Sequence, residues 1–292
     1  MTDIQTTPPP PAGAAILPQP PWRVGESDWD FRRPLIMGVL NATPDSFSDG
    51  GEFLSVDSAL LRAGELLREG ADLIDLGGAS SHPLAAPVAP AVELGRIREI
   101  VERLVAEVPL PLSIDTQRPE VAEVCLGLGA HLINDVSGLP GPAMARVAAR
   151  YDVPLVVMYN NLTHPRAPGH ASLLAAMREF FQQRVALAEA QGVSRLILDP
   201  GYGFGKTLAE NLEVVRELSG LRALGRPLLV CTSRKGSLGR ITGEKNPKQR
   251  LAATLASTLF AVEQGAAMVR VHDVRPLHQA LRTWMAIRGP GE

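Results

Sequence analysis

Between residues 35 and 271 one pattern recurs eight times. An apolar run of strand length ends in polar residues, and a helix-length amphipathic segment follows. The runs are 35–40, 72–76, 111–114, 131–134, 154–158, 195–198, 227–231 and 267–271, and the helical segments are 56–69, 90–107, 119–128, 141–150, 171–191, 208–219, 247–264 and 275–287. Asn246-Pro247 reads as an N-cap with proline at the first helical position. Gly70, Gly129, Gly192 and Gly265 read as helix stops. Nearly continuous apolar strands belong in a parallel sheet buried on both faces. Eight such units predict a closed (β/α)8 barrel of the TIM type, an α/β fold in a single domain. An open doubly wound sheet is the alternative, but it more often has fewer strands and a glycine fingerprint after the first.

The barrel domain is expected over 22–288. Before it, residues 1–21 carry Pro8 to Pro11, Pro18 and Pro20, which predicts a disordered or extended tail. Trp22, Trp29 and Phe31 suggest a short cover or hairpin at the domain's entrance.

Composition removes several functions. A net charge of −2 gives no support for nucleic-acid or anionic-membrane binding, and 4% aromatic residues leave little for base stacking. Two cysteines, Cys125 and Cys231, make neither a disulfide framework nor a zinc site. With no transmembrane-length apolar run and no secretory signal, a reducing cytosol is the expected compartment.

In such barrels the site lies at the C-terminal strand ends. Those positions are Asn41, Asp75, Asp115, Asn134 with Asp135, Tyr159 with Asn160, Asp199, Ser233 to Lys235, and Arg270 with His272. Asp75 and Asp135 taken singly read as turn or cap formers. A ring of eight polar strand ends reads as a site.

After the sixth strand, Asp199 leads into Pro200, alternating Gly201, Gly203 and Gly205, then Lys206 and Thr207. This fits neither phosphate-binding glycine motif. Pro200 stands where the NTPase loop needs its first glycine, and Lys206 where the dinucleotide fingerprint needs its third. Arg270 and His272, two apart on a strand, face the same way and could hold an anion with the backbone of loop 41–51. Asp115, Asn134, Asp199 and Lys235 suit a flat heterocycle with an amidine-like edge, on which Arg270 could stack. No Ser-His-Asp or Cys-His arrangement is evident. His164 and His170 read as surface residues.

Several stretches resemble dihydropteroate synthase. They are Asn41-Ala-Thr-Pro-Asp-Ser-Phe-Ser-Asp-Gly-Gly51, Gly70 to Gly78, Ser113-Ile-Asp-Thr116, Ile133-Asn-Asp-Val136, Asp199 to Lys206, Ser233-Arg-Lys235 and Arg270-Val-His-Asp-Val274. The resemblance runs from about 34 to 285. It implies a transferase of folate biosynthesis. Para-aminobenzoate displaces diphosphate from 6-hydroxymethyl-7,8-dihydropterin diphosphate, giving 7,8-dihydropteroate. The resemblance also implies that Asp115, Asn134, Asp199 and Lys235 hold the pterin edge and that Arg270 stacks on its face. Asn41 with Mg2+, Arg270 and His272 would hold the diphosphate. Asp115, Lys235 and Arg270 would carry the chemistry, and Phe204 and Ser233 would line the aminobenzoate subsite. It further implies a homodimer through the late helices, and segment 247–264 is apolar over much of its circumference.

The chain departs from the family after the second strand. Gly-Glu-Ser-Thr-Arg-Pro-Gly is replaced by Gly78-Ala-Ser-Ser-His-Pro-Leu84, which puts Ser81 and His82 where a threonine and an arginine would grip diphosphate. Asn160 stands for an apolar contact under the pterin, and Cys231 for a common glycine. Two other readings stay open. One is a divergent paralogue with weak activity, the other a non-catalytic pterin-binding protein.

Overall fold

A computed structural model describes residues 21–42, 55–79, 88–166 and 172–289. Ten strands are described. β1 (Trp22–Val24) and β2 (Ser27–Trp29) form an antiparallel hairpin, as the aromatic cluster suggests. The other eight are β3 (Leu35–Asn41), β4 (Leu73–Gly77), β5 (Leu112–Asp115), β6 (Leu132–Asp135), β7 (Leu155–Met158), β8 (Leu196–Asp199), β9 (Leu229–Val230) and β10 (Met268–Val271). They pair in parallel in the order β8-β7-β6-β5-β4-β3-β10-β9. A parallel bridge between Leu198 and Leu228 joins the two ends, so the sheet closes into the expected barrel.

Alternation along the strands determines what the barrel contains. Leu73, Leu132, Ile197 and Met268 fill its N-terminal end together with Met37, Val156 and Leu229. Two residues further on, with side chains on the same strand face, stand Asp75, Asn134, Asp199 and Arg270. One inward face therefore changes from apolar plug to polar mouth within a single pleat. Trp22, Trp29 and Phe31 from the hairpin seal the apolar end. The residues on the opposite strand face, such as Ile74, Leu76, Ile133 and Leu198, pack with the surrounding helices.

Among the described residues the helices are α1 (Val56–Glu69), α2 (Pro90–Glu107), α3 (Pro119–Gly127), α4 (Pro142–Arg150), α5 (Leu173–Glu189), α6 (Leu208–Arg216), α7 (Gly236–Thr242), α8 (Leu251–Glu263) and α9 (Val274–Arg288). Gly70, Gly129, Gly192 and Gly265 all take positive φ just past a helix end, the role read for them. Three expectations are corrected. Segment 208–219 breaks after Arg216 into a 3-10 stretch over Leu218–Leu224. Segment 247–264 is divided: Asn246 caps Lys248 of a short 3-10 turn, and α8 starts only at Leu251. The sequence reading missed α7, because Gly236, Gly239 and Gly243 look like loop residues. Most of the tail, residues 1–20, lies outside the described residues.

Candidate functional site

At the barrel mouth two carboxylates enclose Arg270. Its Nε donates to Asp75 Oδ2 at 2.6 Å and its Nη2 donates to Asp115 Oδ2 at 3.1 Å. Asp75 also accepts from Ser113 Oγ at 2.5 Å and from Asn134 Nδ2 at 3.1 Å. The last bond fixes which end of the Asn134 amide points where. With Nδ2 committed to Asp75, Oδ1 is left as a buried acceptor with no protein partner. Reading Asp75 as a turn former is therefore wrong: it is fully buried and organises Arg270, Asn134 and Ser113 together. Asp135 does what was expected of it, accepting from the N–H groups of Ser137 and Leu139 and from Ser137 Oγ.

The charges at the mouth are strongly perturbed. Burial pushes Asp115 up to about 7 against the pull of Arg270, with Asp75 and Glu93 adding repulsion. Burial opposes the Arg270 charge, but Asp75 and Asp115 outweigh it and raise its pKa. Asp199 is raised by burial against the Gly201 N–H, which donates to its Oδ1 at 2.7 Å.

His272 does not supply the positive charge that its spacing from Arg270 suggested. Burial, with the nearby charges of Arg270 and Arg234, pushes it down to about 3, so the ring is neutral. Ser233 Oγ lies 2.9 Å from His272 Nδ1 and accepts from the His272 backbone N–H at 3.2 Å. The hydroxyl and the ring nitrogen share that hydrogen bond, which holds the neutral imidazole against Ser233. The turn between Ser233 and Lys235 is held in place by Arg234. This residue adopts φ +59° and forks onto Asp273 at 3.0 and 2.6 Å.

Lys235 Nζ lies 4.4 Å from the centre of the Phe204 ring, so these two predicted residues come together from different loops. Asn41, at the end of β3, and Asp115 both flank Gly77. Lys206 turns back onto its own loop. Its Nζ donates to the carbonyls of Gly201 at 2.8 Å and Tyr159 at 3.1 Å. Asn160 also differs from expectation. Its Nδ2 donates to Val136 O and its Oδ1 accepts from Leu162 N, both at 3.0 Å, so the amide ties two loops together and is spent. Ser81, His82 and most of loops 41–51 and 78–88 lie outside the described residues.

For Mg2+ the fit is partial. Among the described residues no cluster of three or more His, Cys, Asp and Glu could cage a metal. Asn41 offers one hard oxygen at the mouth, which suits a cation carried in by phosphate oxygens and unsuited to an all-protein site.

The fold and this mouth define a (β/α)8-barrel enzyme with a buried polar floor. The pterin binding enzyme family matches residues 37–272. A dihydropteroate synthase of a Synechocystis species is 42% identical over 267 residues, covering 89% of this chain and 92% of the relative. The Bacillus subtilis dihydropteroate synthase is 39% identical, covering 89% of this chain and 90% of its own. Among solved structures, the Xanthomonas albilineans dihydropteroate synthase in complex with 7,8-dihydropteroate superposes with a TM-score of 0.84 at 39% identity, covering 93% of this chain and 100% of that one. The Thermus thermophilus enzyme in complex with 4-aminobenzoate gives 0.81 at 39% identity, covering 91% and 99%. The chain belongs to the pterin binding enzyme family, and within it to the dihydropteroate synthases.

Proposed function

We propose that this chain is a transferase of folate biosynthesis that makes 7,8-dihydropteroate from 6-hydroxymethyl-7,8-dihydropterin diphosphate and 4-aminobenzoate. The observation that carries this reading is the buried, unpartnered Asn134 Oδ1, set among Asp115, Asp199, Lys235 and Arg270. An acceptor fixed in a buried polar ring calls for a ligand N–H, and two carboxyls beside it match the amidine-like edge of a pterin.

In the reaction the methylene C–O bond of the pterin breaks and its electron pair leaves with the diphosphate. The aminobenzoate nitrogen then forms the C–N bond and releases a proton. A carboxyl with a pKa of about 7 is available in both forms near neutral pH. Ionised, Asp115 stabilises positive charge developing on the pterin. Arg270 stacks on the ring, while its charge and the neutral ring of His272 face the departing diphosphate. Lys235 and Asp199 hold the ring edge, and Phe204 and Ser233 line the aminobenzoate side.

Mg2+ would be held by Asn41 together with diphosphate oxygens, where it would neutralise leaving-group charge. Ser81 and His82 stand where the family grips diphosphate, and a neutral histidine cannot form the two-pronged bond of arginine. Restoring His82→Arg should lower KM for the pterin diphosphate. We place the protein in the cytosol because Cys125 and Cys231 are both free and buried. We pair it as a homodimer through the outer face of α8, where Phe260 is 43% exposed beside the half-buried Leu255 and Leu259. A monomeric mass in solution would overturn the dimer.

The deciding experiment incubates the purified protein with the pterin diphosphate, 4-aminobenzoate and Mg2+ and looks for dihydropteroate. Product supports the synthase. Pterin binding without product would replace it with a binding protein.

A further inference from the structure

Lys206 has no task in the reaction above, yet its side chain folds back into the glycine-rich loop instead of reaching solvent. Its ammonium carries three N–H bonds and has three carbonyl oxygens around it: Gly201 at 2.8 Å, Tyr159 at 3.1 Å and Phe204 at 3.4 Å. It also lies 4.8 Å from the centre of the Tyr159 ring. These contacts draw the loop after β8 onto the end of β7. Asn211 secures the same loop from α6, accepting from Gly203 N at 2.6 Å and donating to Lys206 O at 3.1 Å. Phe204 sits inside this frame, its carbonyl tied to Lys206 and its ring against Lys235.

We propose that Lys206 is a positioning residue that sets Phe204, and through it one wall of the aminobenzoate subsite. The proposal rests on the reading that Phe204 lines that subsite. A protonated amine satisfies all three carbonyls. A neutral one has two N–H bonds and turns a lone pair toward the third oxygen, which loosens the wall.

The charge state is sensitive to its surroundings. Among the described residues, Asp199 from β8 and Glu210 from α6 favour the ammonium, and Lys235 at the start of α7 opposes it. Arg166 lies 3.7 Å from Glu210 and tempers it, while Tyr159 contributes only its ring and carbonyl. Burial outweighs the two carboxylates and pushes Lys206 down to about 7. The positioning contact is therefore complete below neutral pH and one hydrogen bond short above it.

The test measures KM for 4-aminobenzoate between about pH 6 and pH 8 in the wild type, Lys206→Met and Phe204→Ala. The wild-type KM should rise with pH by about threefold or more. In Lys206→Met it should be about tenfold higher at low pH and flat, with kcat changed much less. Titration of Asp115 falls in the same range, but it acts on the pterin side and shows in kcat and in KM for the pterin diphosphate, leaving KM for 4-aminobenzoate to report Lys206. If Phe204→Ala leaves KM unchanged, the reading of the subsite is wrong. If Phe204→Ala raises KM while Lys206→Met keeps both the wild-type KM and its slope, the positioning role is wrong. Should Lys206→Met fail to fold, the wild-type profile still decides: a flat KM overturns the proposal.

Discussion

Asp75 and Arg270 are 195 positions apart in the sequence and 2.6 Å apart at the barrel mouth. They lie on adjoining parts of the ring, since β3 pairs with both β4 and β10. Asp115 is the second partner of Arg270, but the two carboxylates are not equivalent. Asp75 accepts from Ser113 and Asn134 as well as from the guanidinium, whereas the described bond to the Asp115 carboxylate comes from Arg270 alone. Asp75 is the standing anchor of Arg270, and Asp115 is the partner that the proposed reaction turns toward the pterin.

Asp75→Asn should therefore damage catalysis more than its distance from solvent suggests. The amide cannot balance the Arg270 charge, and it offers a donor where Asn134 already presents one. Breaking a buried pair costs about 3–5 kcal/mol, part of it in stability. The expected kinetic effect is a fall of about a hundredfold in kcat/KM for the pterin diphosphate, with KM for 4-aminobenzoate little changed. Steady-state kinetics with each substrate varied in turn checks this. An unaltered kcat/KM would mean that Asp115 alone suffices to hold Arg270.

Asp115→Asn should separate activity from stability. The folded pKa of Asp115, about 7, lies above its unfolded value. The folded state thus keeps a proton that the unfolded chain has already released. Stability from this site is full below about pH 4 and declines as pH rises through 7. An uncharged asparagine lacks that decline. The variant should lose synthase activity, and its Tm should gain on the wild type by a few degrees, on the order of 1 kcal/mol, between about pH 5 and pH 8. Calorimetric scans across that range test the sign, and a Tm difference that does not change with pH would contradict it.

The barrel was legible because each strand is an apolar run with a polar end, a pattern that local sequence carries in full. Asp115, Asn134, Asp199 and Arg270 were legible for the same reason: they occupy the inward face one pleat above Leu132, Ile197 and Met268 or their neighbours. Asp75 occupies an equivalent place above Leu73 and was misread, because an aspartate near a strand end is also a common turn former, and only Arg270 distinguishes the two. Lys206 and Asn160 escaped for a different reason. Their partners are backbone carbonyls and amides, which have no sequence signature. The neutral state of His272 depends on burial beside Arg270 and Arg234, and spacing alone cannot report that. The short helix α7 was hidden by glycines that its tight packing needs; a side chain at Gly239 would meet the Glu244 carbonyl and the Arg250 guanidinium.

Gly201→Ala should break the loop that carries Phe204. Gly201 has φ +68°, and a Cβ there would overlap the carbonyl oxygen of Tyr159. That carbonyl also accepts from Lys206, so it cannot move away without opening the loop. The left-handed backbone alone costs about 1 kcal/mol for alanine, and the overlap adds to it. Because Gly201 N donates to Asp199, the displacement reaches the carboxyl that the proposed function sets at the pterin edge. Isothermal titration with a pterin ligand should show binding weakened by about tenfold or more. Undiminished binding would show that the loop accommodates a side chain there.

The opposite end of the barrel gives the contrasting case. Trp29 is almost fully buried, and its ring lies 6.4 Å from Phe31, which lies 5.1 Å from Trp22 in an edge-on array. These rings cover Met37, Leu73 and Met268 inside the barrel, and Arg195 Nη1 ties the hairpin down through Arg23 O at 2.8 Å. Trp29→Ala would leave a cavity in a close-packed plug, at a cost of about 3–5 kcal/mol. For a domain of this size that corresponds to a fall in Tm of roughly 10 °C. The polar residues begin one pleat above the plug, on rigid strands, so the site should keep its geometry in molecules that remain folded. At low temperature kcat and both KM values should stay within about twofold of the wild type while the melting transition moves down. A large kinetic defect well below the new Tm would show that the hairpin shapes the mouth as well as sealing the base.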